Sequence, residues 1–203
     1  MIISHSQKFV FIHNPKVAGT SLRNALSKWD DTKNAFWGPY YHPILGRKID
    51  LAHVMIRDLA VFPELRGSME DYFTFGIVRD PIERFHSAVS YYNKRKPDRA
   101  RKAHEFLELF IKYPTLMTYD IDFVHFCPQH EFFYYQSEQG LKCLADVLLP
   151  LERLNRLPNL LKLPFMIGQD NVSDGSRGHK DGAVDEQIGI LYEQDYRLMG
   201  HLF

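Results

Sequence analysis

The feature that most constrains the chain is the stretch at residues 9–22, FVFIHNPKVAGTSL. Its first four residues are apolar and partly β-branched, which predicts a buried strand. Asn14 and Pro15 then indicate a turn, and an apolar helical pattern begins at Leu22. A strand, a short loop and a helix N-terminus in this order predict an anion site, because the first backbone N–H groups of a helix lie at its positive end and have no partner within it.

The side chains of the predicted loop add to this anion site. Lys16 supplies a positive charge, Gly19 lets the backbone approach a phosphate closely, and the hydroxyls of Thr20 and Ser21 can donate hydrogen bonds. The order differs from the Walker pattern G-x-x-x-x-G-K-[ST], since the lysine precedes the glycine. We also find no later strand that ends in a magnesium-binding aspartate in a fitting context. The loop therefore suits a phosphate group and argues against a nucleoside triphosphate with magnesium.

A second strand–helix junction is predicted at residues 75–87, FGIVRDPIERFHS. Asp80 suits the N-cap of the helix, and Glu83 completes a pattern similar to a capping box. Arg79 then stands at the carboxyl end of the strand, where open α/β sheets bind ligands, and Ser87 lies two helical turns further on. Alternatively, Arg79 pairs with Asp80 or Glu83, and Ser87 faces solvent.

Together the two motifs resemble those of sulfotransferases that use 3′-phosphoadenosine 5′-phosphosulfate (PAPS). Residues 15–21, PKVAGTS, are similar to the 5′-phosphosulfate loop of that family, whose usual form is P-K-[ST]-x-G-[ST]-[ST]. Val17 departs from this form, which removes a side-chain donor but no backbone N–H. The resemblance implies that Arg79 and Ser87 hold the 3′-phosphate. It implies that the 5′-phosphosulfate is held by Lys16, Val17, Ala18, Gly19, Thr20 and Ser21.

Further segments extend the resemblance to the carbohydrate branch of the family, which includes Golgi-type uronyl and heparan 2-O-sulfotransferases. Residues 122–129, DFVHFCPQ, are similar to a D-x-H-x-x-P-Q segment of that branch. Residues 171–173 and 192–196 are similar to its N-x-S loop and its Y-x-x-D-Y helix. The resemblance implies a carbohydrate hydroxyl as acceptor. His125 and Gln129 are then expected to line the acceptor cleft, or simply to pack there.

A histidine suits the role of the base that removes the acceptor proton, because its ordinary pKa lies near neutrality. His53 lies in the segment DLAHV, on a strand predicted at residues 49–54. It resembles a histidine in an H-V context that serves as base in the uronyl and heparan 2-O-sulfotransferases. Alternatively, it is a core histidine satisfied by a backbone carbonyl. The resemblance also implies that Lys16 stabilises the bridging oxygen of the leaving nucleotide.

Three other features have more than one interpretation. His125, Cys127 and His130 do not have a standard metal-ligand spacing, and we expect no metal. The basic run at residues 94–102 is typical of a solvated helix face, or it steers an anionic glycan towards the cleft. Trp37 is either an aromatic platform for a sugar ring or part of the core.

The order of elements along the chain predicts the fold. Strands alternate with helices, which favours an α/β fold with a P-loop-like, mainly parallel sheet flanked by helices, as the sulfotransferase resemblance also implies. We expect one domain over residues 1–203, with a loop at residues 30–47 and a closing helix at residues 184–198. Lys180, in a polar loop at residues 168–182, is expected to reach the cofactor phosphates, unless this loop is only a mobile surface segment.

Composition bounds the partners and the compartment. The formal net charge is zero, which argues against a general nucleic-acid binder. No apolar run approaches the about 18 residues of a membrane span, and no signal peptide is recognised. Cys127 and Cys143 give no disulfide framework and fit a reducing compartment. We therefore expect a cytoplasmic enzyme of a stand-alone bacterial type.

The sequence thus predicts a sulfotransferase that moves a sulfuryl group from PAPS to a hydroxyl, on a carbohydrate, by in-line displacement with a histidine base and without metal. Two alternatives stay open. One is a P-loop-like phosphotransferase or kinase, which magnesium-dependent ATP turnover would reveal. The other is a non-catalytic nucleotide- or glycan-binding module.

Overall fold

The structure, a computed structural model, describes residues 1–33, 35–168 and 182–203. The strands in these ranges are β1 (Ile2–Ser4), β2 (Phe9–Ile12), β3 (Pro39–His42), β4 (Arg47–Asp50), β5 (Phe73–Val78), β6 (Tyr134–Ser137), β7 (Gly140–Cys143) and β8 (Val147–Pro150). The central sheet has the order β1-β2-β5-β8, in which β2, β5 and β8 are mutually parallel and β1 is antiparallel to β2. This confirms the predicted mainly parallel sheet.

Helices surround the sheet. They are α1 (Gly19–Leu26), α2 (Pro63–Asp71), α3 (Pro81–Arg95), α4 (Ala103–Lys112), α5 (Leu116–Tyr119), α6 (His130–Phe133), α7 (Leu157–Leu161), α8 (Gly182–Leu191) and α9 (Glu193–Met199). Strands β3 and β4 form one hairpin beside the sheet, and β6 and β7 form another. Short 3₁₀ turns connect several elements, among them Leu51–His53 and Ile121–Phe126.

Both faces of the sheet are buried, as the apolar runs of its strands require. Along β2, Phe9 and Phe11 pack into one apolar cluster, whereas Val10 and Ile12 pack into another. Successive side chains of a strand point to opposite faces, so these clusters cover the two sides of the sheet. Helices α1 and α7 complete the first cluster, and α2 and α6 complete the second. The sheet is therefore a rigid support for the loops at its carboxyl edge.

The structure corrects three predicted elements. The strand predicted at residues 49–54 ends at Asp50, whose side chain accepts a hydrogen bond from the Ala52 N–H and so stabilises the 3₁₀ turn Leu51–His53. His53 consequently lies on this turn and not on a strand. The loop predicted at residues 30–47 contains β3, and the closing helix is divided at Tyr192 into α8 and α9.

Candidate functional site

The loop between β2 and α1 has the backbone geometry of an anion site. Lys16 and Ala18 are both in the left-handed region, with φ of 67° and 60°. This conformation costs about 1–3 kcal/mol for a residue with a side chain, and such strain is concentrated at functional sites. Alternation of left- and right-handed residues also turns several N–H groups towards one point and forms a concavity for anions. Between them, Val17 is fully buried in the core, so its departure from the hydroxyl form leaves the concavity intact.

The first turn of α1 continues this concavity. The first helical hydrogen bond runs from the Leu22 N–H to the Ala18 carbonyl, so the N–H groups of residues 19–21 come before it. Such groups point out of the helix end, where the dipole favours an anion. The Thr20 side chain is exposed, whereas Ser21 is buried. The structure thus brings the predicted 5′-phosphosulfate residues into one turn.

Gly19 is required by a contact that the sequence did not reveal. A Cβ built on Gly19 would lie 1.6 Å from His13 Nε2, far inside contact distance. The His13 ring is buried and stacks on Phe11 and on Trp37, with centroid distances of 5.4 and 6.2 Å. In this part of the sequence, only Asn14 and Pro15 gave a recognisable signal, which was that of a turn. His13 is therefore a missed member of the site, and Trp37 stands beside it.

His53 is held in the tautomer of a general base. Its Nδ1 lies 2.8 Å from the carbonyl oxygen of His13, which can only accept a hydrogen bond. The proton therefore resides on Nδ1, and the lone pair resides on Nε2. Burial is the main cause that lowers the pKa of His53, so the ring is neutral at neutral pH. The structure thus shows the buried histidine satisfied by a backbone carbonyl, and the role of its Nε2 as a base stays a prediction.

Lys16, His53 and His125 meet around a tyrosine that sequence reasoning missed. Lys16 Nζ lies 4.2 Å from the centroid of the Tyr91 ring, and the ring of His125 lies 4.4 Å from it. His53 and His125 are 5.2 Å apart between ring centroids. The hydroxyl of Tyr91 accepts a hydrogen bond of 2.7 Å from Arg95 Nη1. Tyr91 lies within α3, and no sequence signal distinguished it.

The charges of this group are perturbed in a consistent way. Burial, and to a smaller extent the nearby charge of Arg79, lowers the pKa of Lys16 to about 8. The pKa of His125 is lowered well below its ordinary value, first by burial and then by His53 and Lys16. Two cations and two neutral imidazoles thus share one region, which favours an anionic ligand between the cations.

Arg79 follows β5 as expected and makes the ion pair that we considered as an alternative. Its Nε and Nη2 lie 3.2 and 3.1 Å from Glu83 Oε2, and the Glu83 side chain is 59% exposed. Asp80 caps α3 by accepting a hydrogen bond from the Glu83 N–H. The Glu83 carboxylate therefore binds Arg79 and does not complete a capping box. Ser87 is partly buried two turns into α3.

The position of Gln129 argues against a direct contact with the acceptor. The residue is completely buried, and its side-chain amide is bound to Asn14 and to the backbone of Arg79. His125, by contrast, is only partly buried and faces the other site residues. Lys180 and the predicted N-x-S loop lie outside the described residues.

Residues of the C-terminal Y-x-x-D-Y pattern hold the segment that carries His125. The hydroxyl of Tyr192 donates to the Phe126 carbonyl at 2.6 Å. The guanidinium of Arg84, a fully buried residue that contacts the Tyr192 ring, donates to the carbonyls of His125 and Cys127. Burial and these three hydrogen bonds to backbone carbonyls hold the segment in place as one wall of the site.

Across residues 1–33, 35–168 and 182–203, no cluster of three or more His, Cys, Asp or Glu side chains has the geometry to hold a metal ion. None of the helices in the same ranges has the length and apolar character needed to span a bilayer.

Comparison with known proteins agrees with the geometry of the site. No curated protein and no solved structure gives a significant match. The model of the sulfotransferase family, however, matches residues 1–157, which include the loop after β2, the turn that carries His53 and the Arg79 junction. The match covers more than half of the chain and accords with the observed α/β fold. The protein therefore belongs to the sulfotransferase family and is an enzyme of sulfuryl transfer.

Proposed function

We propose that the protein transfers the sulfuryl group of PAPS to a hydroxyl of a carbohydrate, with His53 as general base and without a metal. The observation that carries this proposal is the convergence of Lys16, His53 and His125 beside two phosphate-binding loops. In this site PAPS supplies the sulfuryl group and a good leaving group. All other requirements fall on the backbone N–H groups and side chains of the protein.

The donor site is divided between the two junctions. The left-handed turn around Val17 and the first turn of α1 suit the 5′-phosphosulfate, because several N–H groups converge there. Arg79 suits the 3′-phosphate, since its exposed partner Glu83 can be exchanged at small cost. The pKa of Lys16 is lowered first by burial and then by the charge of Arg79, and an anion bound between the two cations would offset both effects.

Two side chains account for the chemistry. His53 Nε2 takes the proton of the acceptor hydroxyl, a contribution of about 10²–10⁴-fold for a positioned base. The hydrogen bond from Nδ1 to the His13 carbonyl holds the required tautomer and stabilises the imidazolium that forms. The ammonium of Lys16 neutralises charge that develops on the leaving oxygen.

A carbohydrate acceptor is supported by exposed aromatic side chains, one of which stacks on a histidine of the site. Trp37 is 46% exposed and stacks on the His13 ring, and Tyr40 and Tyr41 of the β3–β4 hairpin are also exposed. Aromatic faces of this kind bind the apolar faces of sugar rings. The basic run at residues 94–102 is largely exposed and remains a candidate for steering an anionic glycan. In this proposal Gln129 does not touch the acceptor.

The donor assignment is tested by calorimetry with 3′-phosphoadenosine 5′-phosphate (PAP) and ADP in the presence of EDTA. PAP should bind more tightly than ADP, and magnesium should not be required. Loss of Arg79 should cost on the order of 1.5–3 kcal/mol, as expected for a charge-assisted hydrogen bond, and should remove most of the preference. Equal affinity for the two nucleotides would overturn the assignment, and magnesium-dependent turnover of ATP would favour a phosphotransferase. An acceptor screen with labelled PAPS then tests the carbohydrate class.

A further inference from the structure

The two proposed phosphate-binding loops are joined below the surface by a pair of buried amide side chains, Asn14 and Gln129. Asn14 Nδ2 donates to Gln129 Oε1 at 2.8 Å and to the Ile77 carbonyl at 3.0 Å. Gln129 Oε1 also accepts from the Arg79 N–H at 3.1 Å, and Gln129 Nε2 donates to the Arg79 carbonyl at 2.8 Å. Both residues are 0% exposed.

The orientation of each amide is determined by backbone groups that can only donate or only accept. The N–H and carbonyl of Arg79 orient the Gln129 amide, because the N–H must face Oε1 and the carbonyl must face Nε2. The carbonyl of Ile77 must likewise face the Nδ2 of Asn14. The link from one loop to the other is therefore a defined series of donors and acceptors.

The amide pair begins where the sheet ends. The backbone pairing of β2 with β5 ends with Ile12 opposite Gly76, before either loop starts. Asn14 lies two residues before the left-handed turn at Lys16. The Gln129 amide forms hydrogen bonds with both the N–H and the carbonyl of Arg79. The spacing of the two loops beyond the sheet is thus set by side chains.

Gln129 is itself held in place from the C-terminal region. The carboxylate of Asp195, a completely buried residue of α9, accepts hydrogen bonds from the Gln129 N–H at 2.8 Å and from the His130 N–H at 2.9 Å. It is also 2.7 Å from His130 Nδ1. Such a carboxylate, satisfied on both oxygens, fixes the backbone from which the Gln129 side chain projects.

We propose that Gln129 and Asn14 are positioning residues that hold the 5′-phosphosulfate loop and the Arg79 loop at the separation of a 3′,5′-bisphosphate. This inference rests on the proposed donor and extends it. A ligand with both phosphates gains from two sites already held at the right distance, because it does not have to order the loops. A ligand with one phosphate engages one loop and gains little from their spacing.

The test compares PAP with 5′-AMP, which lacks the 3′-phosphate, by calorimetry well below the unfolding temperature. Gln129→Met keeps the size of the side chain and removes its polar atoms. The preference for PAP is the dissociation constant of 5′-AMP divided by that of PAP. We expect this ratio to fall about tenfold or more relative to the wild type, while the dissociation constant of 5′-AMP stays within about threefold. Asn14→Ala breaks the same link from the other side, so it should lower the ratio too, and the double variant should lower it little further.

Thr74→Val is the matched control. Thr74 is the second residue of the same strand β5, at the end remote from the loops. Its replacement by valine removes hydrogen bonds to the Leu144 carbonyl and to Asp146. This variant should lower the melting temperature without changing the ratio. If folded Gln129 and Asn14 variants keep the wild-type ratio, or weaken both nucleotides equally, the positioning role is refuted while the donor assignment stands. A wild-type protein without preference for PAP refutes both.

Discussion

Replacement of Gly19 by alanine tests the contact that organises the loop after β2. The added Cβ would lie 1.6, 2.3 and 2.7 Å from Nε2, Cδ2 and Cε1 of His13. The imidazole cannot retreat easily, because it is packed against Phe11 and lies 4.4 Å from His53 between ring centroids. Overpacking of a buried site costs about 1–3 kcal/mol, so we expect Gly19→Ala to lower the free energy of unfolding by that amount.

Chemical denaturation, followed by fluorescence, measures this cost against a matched control. Gly67 lies inside α2, and a Cβ there would meet no atom within 4 Å. Gly67→Ala should therefore stabilise the protein by about 0.5–1 kcal/mol, the helix-propensity gain. In a His13→Ala background the cost of Gly19→Ala should largely disappear. An equally stable Gly19→Ala protein, or a cost unchanged by His13→Ala, would refute the reasoning.

Two further predictions concern charge. The pair between Arg79 and Glu83 competes with a bound phosphate, so Glu83→Gln should tighten PAP binding about twofold, the value of an exposed helical ion pair. Glu70→Gln, which breaks a similar exposed pair on α2, should leave PAP binding unchanged in calorimetry, and identical behaviour of the two variants would contradict this. In a pH profile, kcat/KM for PAPS should decline above about pH 8, because Lys16 then loses its proton. Towards acidic pH, kcat/KM should stay level down to the ordinary histidine pKa of about 6.5, because the pKa of His53 is lowered and its ring remains neutral there. A kcat/KM that is still level at pH 10 would exclude the role of Lys16. A kcat/KM that already declines on the acidic side above pH 6.5 would exclude a His53 that is neutral there.

Local patterns in the sequence were sufficient for much of the fold. The strand β2 and the start of α3 were predicted correctly because apolar runs and the N-cap residue Asp80 act within a few residues. The same patterns placed Lys16 and Arg79 at the carboxyl ends of two strands that the structure shows to be adjacent and parallel. Their roles towards a ligand stay proposals.

The rest of the site depends on contacts between residues distant in sequence. Asp50 ends β4 early through a side-chain hydrogen bond, which the β-branched pattern around it concealed. His13 and Tyr91 become site residues only when the sheet and α3 bring them to His53 and Lys16. Such positions are set by tertiary packing, which a single sequence does not encode as a local pattern.

The central claim is tested most directly by following labelled sulfuryl from PAPS to an acceptor identified in the screen, in EDTA, for the wild type and two variants. The wild type should transfer the label without added metal. His53→Ala should bind PAP nearly as well as the wild type and transfer about 100-fold more slowly or worse, whereas Lys16→Ala should lose both binding and transfer. A folded His53→Ala protein with normal turnover would move the base elsewhere in the site. Label that stays on the nucleotide with every acceptor in the panel would contradict sulfuryl transfer from PAPS itself.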